Sequence, residues 1–250
     1  MLDPAFVAVM EDTTRAAISA AAQVITPSAA ARRQVLEAYP RPSHTVHAIH
    51  HGVDHELFRP DRRRGREVAG GPYVLFVGVI HPRKNVSAVR SAVAALEHEG
   101  HPRRLVIVGN PAADPEAASY VREAIAELPG ARSRVQLLQQ LPAAELATLM
   151  ASADVFCLPS LFEGFGLPAL EAMACGAPVV VSNRGALPEV VADAGLVVEP
   201  DSEAVTDAVL KIVGDPGLAD HLRAASVARA ATFSWKRTAD GWLDVLRSVA

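Results

Sequence analysis

Residues 163–182 read EGFGLPALEAMACGAPVVVS (Glu163–Ser182). Pro168 suits the first position of a helix, where its missing N–H costs nothing. Gly176 closes that helix and Pro178 prevents its continuation. Val179-Val180-Val181 then reads as a strand buried on both faces. A glycine turn, a short helix, a stop and a buried strand together make half of a βα unit. The pattern extends outward in both directions. Strands are predicted at Tyr73–Val77, Leu105–Val108, Val135–Leu138, Val155–Leu158, Pro178–Ser182 and Leu196–Val198. Helices are predicted at Asn85–Glu99, Glu116–Leu128, Ala143–Ala151, Pro168–Ala174, Ser202–Val213 and Leu218–Ala231. Repeated βα units predict an α/β fold: a Rossmann-like, doubly wound parallel sheet covered by helices on both faces. Such sheets bind ligands in the loops after their strands, here those following Val77, Val108, Leu138, Leu158 and Ser182.

The first seventy residues differ. Helices are expected at Glu11–Ala22 and Ser28–Tyr39, the second with Ser28 as N-cap, and short strands at Val24–Thr26 and Val46–Ile49. Two βα units do not make a doubly wound domain, so residues 1–52 read as the closing part of one. Residues 53–72 read as a linker, Pro-, Arg- and Gly-rich from Pro60 onward, with the basic cluster Arg62-Arg63-Arg64-Gly65-Arg66 as solvated chain.

Bulk properties exclude several classes. The 250 residues are half apolar, with 24 basic and 28 acidic side chains for a net charge of −4, against the basic excess of a nucleic-acid binder. Cys157 and Cys175 lie in apolar runs without metal spacing, as buried thiols of a reducing compartment do. No apolar run reaches transmembrane length and the start has no signal-peptide pattern, so a cytoplasmic location is expected.

The chemistry concentrates in two loops. Gly164-Phe165-Gly166 leads into a helix N-terminus, whose free N–H groups and partial positive charge attract anions. Glu163 and Glu171 flank it. Carboxylates beside a phosphate site must face something else, and sugar hydroxyls, which a carboxylate can accept in pairs, fit. Gly164-x-Gly166-x-x-Ala169 also matches a dinucleotide fingerprint, but five residues separate it from the preceding strand and no acid ends the next one. After Val77 the chain reads GVIHPRKNVSAV. Arg83 and Lys84 stand before a helix that Asn85 could cap, placed for a diphosphate; two solvated residues at a loop tip are the alternative. His81 and His50-His51 lack metal-like partners and read as structural or exposed.

The segments FVGVIHPRKNV, LVIVG, ADVFCLPSLFEGFGLPALEAMACGAPVVVSNRGALPEVV, DAGLVVEP and FSW resemble the retaining glycosyltransferases of GT-B fold grouped as family four. The resemblance runs from about Val24 to the end. It implies that residues 73–233 form the donor-binding domain, the C-terminal half of a GT-B enzyme, after a remnant of the acceptor-side domain in 1–52. Residues 234–250 resemble the crossover helix that packs back on that domain, leaving Trp235, Trp242 and Leu246 short of cover. It implies that Glu163 binds donor-sugar hydroxyls near the anomeric carbon and acts in catalysis, and that Glu171 binds the ribose. Arg83 and Lys84 would neutralise the diphosphate in place of a metal ion, and the amides around Gly164, Phe165, Gly166 and Leu167 would hold phosphate oxygens. No cofactor or metal is implied. The donor would be a nucleotide sugar such as GDP-mannose or UDP-glucose. The loop Gln139-Gln140-Leu141 departs from the family's glycine there and leaves the base open. The partner would be the missing acceptor domain, in cis or in trans, through which peripheral membrane contact could arise; the chain alone would bind donor without transferring it. A non-catalytic nucleotide-sugar-binding module, and less readily a GT-B epimerase, stand as alternatives.

Overall fold

The computed structural model describes residues 4–60, 65–112, 117–126 and 135–249. Two parallel strands open the fold, β1 (Val24–Thr26) and β2 (Val46–Ala48), with helices α1 (Pro4–Ala20) and α2 (Ala29–Ala38). Helix α3 (Gly65–Ala69) follows. Then come β3 (Tyr73–Val77), α4 (Val86–His98), β4 (Arg104–Val108), α5 (Ala118–Ile125), β5 (Val135–Leu138), α6 (Ala143–Ser152) and β6 (Val155–Leu158). The chain continues through α7 (Leu167–Ala174), β7 (Val179–Ser182), α8 (Leu187–Val191), β8 (Leu196–Val198), α9 (Ser202–Gly214), α10 (Pro216–Ala230) and α11 (Trp235–Arg247).

The six strands from β3 onward form one parallel sheet in the order β5-β4-β3-β6-β7-β8. Its inner strands read as unbroken apolar runs because both faces are covered: every residue of β3, β6 and β7 is buried, whereas the edge strands β5 and β8 are half-buried. Helix α4 packs on α9, and α7 on α10. The chain adds strands to one side of β3, then crosses over to add β6, β7 and β8 on the other. The loops after β3 and β6 therefore diverge, opening the crevice where doubly wound sheets take ligands.

Most predicted elements agree with the structure to within a residue or two at their ends, and Ser28 caps α2 by accepting from the Ala31 N–H. Two helices are additional to that expectation. Helix α3, five residues long, lies where composition reads as linker and packs against α6. Residues 62–64 of the basic cluster, and residues 116 and 127–128 of the predicted Glu116–Leu128 helix, lie outside the described residues. Helix α8, also five residues, is too short for helical periodicity to register.

Asn85 corrects another expectation. It takes left-handed backbone (φ 54°) and its side chain makes no capping bond to α4. Its amide instead donates to Pro159 O at 3.2 Å and Pro200 O at 2.6 Å, tying the loop after β3 to those after β6 and β8. Replacing Asn85 by Ala should lower stability by about 2 kcal/mol, from two lost bonds and the strained φ, measured by urea unfolding. An Asn85→Gly variant retains the backbone freedom and isolates the bonds.

Helix α11 returns to the first segment. Thr238 Oγ1 donates to His50 O at 2.7 Å, and Val53 bridges to Ser234. Its outer side keeps Trp235, Trp242 and Leu246 each about half exposed. Among the described residues no helix is long and apolar enough to cross a membrane.

Candidate functional site

The two loops at the crossover are stitched together. His81 caps the short 3-10 turn Pro82–Lys84, its Nδ1 accepting from the Arg83 N–H at 3.0 Å. Leu161 N–H donates to Arg83 O at 2.8 Å, and the Arg83 guanidinium donates to Phe162 O at 2.7 Å. The pair of loops thus acts as one rim, with the Arg83 side chain on its exposed edge.

Lys84 turns inward. Its Nζ lies 2.5 Å from Glu163 Oε1, and both side chains are nearly buried. Ser160 Oγ donates to the same oxygen at 2.7 Å. The acid's backbone is held as well, because Ala186 N–H donates to Glu163 O at 3.0 Å. Gly185 (φ 60°) permits that approach: a Cβ there would stand 2.2 Å from the Glu163 carbonyl oxygen. Sequence reasoning misses Ser160, Gly185 and Ala186, since one small hydroxyl and two backbone contacts carry no spacing signal.

Gly166 caps α7 with φ 95°, a conformation that glycine adopts without strain, and Leu167 opens the helix with Pro168 second. Among the described residues no acceptor takes the N–H groups of Phe165, Gly166 or Leu167. They project from the end of a helix, where partial positive charge gathers. Gly176 and Ala177 close α7 by donating to Met173 O and Ala172 O.

Glu171 follows Glu163 by eight positions. It lies one turn into α7, mostly buried, and no hydrogen bond reaches its carboxyl among the described residues. Burial pushes its pKa up to about 7. It is therefore poised to gain or lose a proton near neutrality.

The first segment touches this site directly. Ser28 Oγ donates to Gly164 O at 2.7 Å. Glu189 of α8 accepts from the Ala29 and Ala30 N–H groups at the start of α2, and His50 Nε2 lies 2.5 Å from its Oε1. Burial opposes charge on Glu189, yet the bonds from Ala29, His50 and Ala30 outweigh it and hold its carboxyl below the ordinary value. His51 packs edge-on to the Phe165 ring, centroids 5.1 Å apart. The histidine pair thus links the segments around the glycine turn. Among the described residues, no cluster of side chains could hold a metal ion.

The model of the glycosyl transferases group 1 family matches residues 58–229. The chain belongs to that family. Among group 1 relatives, alpha-maltose-1-phosphate synthase of Mycobacterium tuberculosis is 35% identical over 253 residues, covering 93% of this chain and 65% of the synthase. O-antigen chain mannosyltransferase B of Escherichia coli is 37% identical over 173 residues, covering 68% of this chain and 44% of that enzyme. The Anabaena protein Alr3699/HepE, crystallised with UDP-glucose, superposes with a TM-score of 0.79 at 20% identity, over 91% of this chain and 64% of its own. That likeness shows the fold, the GT-B arrangement of a parallel sheet with flanking helices. The chain spans about half to two thirds of the length of these relatives.

Proposed function

We propose that the chain is the donor-binding half of a retaining glycosyltransferase that transfers a hexose, mannose or glucose, from a nucleoside-diphosphate sugar. The observation that carries this reading is the juxtaposition at the crossover of Lys84 and Glu163, beside N–H groups of the glycine turn that no acceptor takes among the described residues. Cation, helix terminus and carboxylate are the three groups a nucleotide sugar needs: charge for the diphosphate, directed N–H donors for its oxygens, and an acceptor for hydroxyls. The names of the relatives support it, one a maltose-1-phosphate synthase and one a mannosyltransferase, as does UDP-glucose in the Anabaena protein.

In this reading Lys84, Arg83 and the start of α7 offset the charge that grows on the departing diphosphate, as pre-placed dipoles and cations do in other transfer sites. They supply that charge without a metal ion. Glu163 accepts the donor-sugar hydroxyls and so orients the anomeric carbon. Glu171 accepts the ribose hydroxyls. The acceptor is held by an N-terminal acceptor domain supplied in cis or in trans.

Arg83→Ala should weaken nucleoside-diphosphate binding roughly tenfold with little effect on stability, because its side chain lies on the exposed rim. The two acids should separate. Glu171→Gln weakens binding of free nucleotide and nucleotide sugar alike, since both carry the ribose. Glu163→Gln spares the nucleotide and weakens only the sugar-dependent part. Calorimetry with UDP, GDP, UDP-glucose and GDP-mannose checks this, and identical behaviour of the two variants would refute the division of roles.

A further inference from the structure

Among the described residues, one of Glu163's carboxylate oxygens is held and the other is not. Oε1 accepts from Lys84 Nζ at 2.5 Å and from Ser160 Oγ at 2.7 Å, while Oε2 takes no hydrogen bond among the described residues. Ser160 is fully buried just beyond β6. Its carbonyl accepts in turn from Ser182 Oγ at 2.5 Å, and Ser182, the last residue of β7, is also fully buried. A line of hydroxyls therefore runs from the end of one central strand, through the end of its neighbour, to the acid.

We propose that Ser160 is a positioning residue for the donor site, fixing the carboxylate plane of Glu163 so that Oε2 is presented to the sugar hydroxyls. The proposal rests on the donor-site reading above. Lys84 cannot do this work alone. Its ammonium has three donors on a flexible stem, and the diphosphate competes for them when the ligand arrives. Ser160 is fully buried, and its single proton is given to Oε1. Ser182 acts one bond further back, by fixing the main chain from which the Ser160 hydroxyl projects. Two donors on one oxygen leave the other as the acceptor that is free, and the geometry of a carboxylate then sets where a hydroxyl must lie.

A hydroxyl that merely satisfied a buried acid would change stability without changing ligand preference. The test is the ratio of nucleotide-sugar affinity to nucleotide affinity, measured by calorimetry with UDP and UDP-glucose, and with GDP and GDP-mannose, on folded Ser160→Ala, Ser182→Ala and Glu163→Gln. Ser160→Ala should keep nucleotide affinity within about twofold while the ratio falls about tenfold. Ser182→Ala should lower the ratio about threefold, and it serves as the test if Ser160→Ala does not fold. Combining Ser160→Ala with Glu163→Gln should lower the ratio no further than Glu163→Gln alone. An unchanged ratio in variants of a wild type that binds both ligands, or equal weakening of nucleotide and nucleotide sugar, overturns the role of Ser160 alone. A wild type that binds neither kind of ligand overturns the donor-site reading and this role with it.

Discussion

Lys84→Ala is expected to destabilise the protein by about 3–5 kcal/mol and to weaken nucleoside-diphosphate binding by more than tenfold. Glu163 is 8% exposed and shares its charge with Lys84 at 2.5 Å. Removing the cation leaves a nearly buried carboxylate with one neutral donor, Ser160, and breaking a buried pair from one side costs that much. The pair's net contribution is smaller, because both charges were taken out of water to form it. Lys84→Met combined with Glu163→Gln should therefore recover most of the stability while binding stays lost. Urea unfolding and calorimetry on the same preparations separate the two effects. A double variant as unstable as Lys84→Ala, or a Lys84→Ala protein that binds UDP and GDP like wild type, contradicts the arrangement.

The second large effect is a pH dependence set by Glu171. Burial pushes its carboxyl up to about 7 from an ordinary 4.5. A raised folded-state pKa contributes stability that is fully present below the unfolded value and lost as pH rises through the folded one. Stability should thus decline from about pH 4.5 upward and level off above pH 7. The loss is about 2–3 kcal/mol once the carboxyl's partial exposure is allowed for. Glu171→Gln should remove that slope and be the more stable protein at pH 8. Binding runs the other way. Ribose hydroxyls donate to the ionised carboxylate, so affinity should fall about tenfold for each unit below pH 7. UDP-glucose and GDP-mannose are the right probes, since their diphosphate diesters do not titrate in this window. A wild-type affinity that is flat from pH 5 to 8, or one that falls equally in Glu171→Gln, rules the ribose role out.

The fold is legible where burial imposes a pattern. Strands β3, β6 and β7 are buried on both faces, and their apolar runs announce a parallel sheet from residue types alone. Pro168 and Gly176 mark the ends of α7 because each acts on its own backbone. Helices α3 and α8 stay hidden, since five residues span little more than one turn and show no period. Asn85 misleads for a related reason. An Asn before a helix is a sound capping signal, but here its amide is drawn to two carbonyls supplied by loops distant in sequence.

The site divides in the same way. Sequence by itself determined which chemical groups are available: Arg83 and Lys84 after one strand, Glu163 and the glycine turn after another, and Glu171 one turn into the following helix. Charge, hydrogen-bonding capacity and the polarity of a helix end belong to residue types and short spacings. Only the tertiary structure decided which of these groups meet. The crossover between β3 and β6 brings Lys84 to Glu163 across 79 positions of chain, while Glu171 stays only partly exposed with no hydrogen bond to its carboxyl among the described residues. It also sets Ser160, Gly185, Glu189 and the histidine pair around the glycine turn. Contacts of that kind depend on strand order and on how closely two backbones approach, and neither leaves a mark on local sequence.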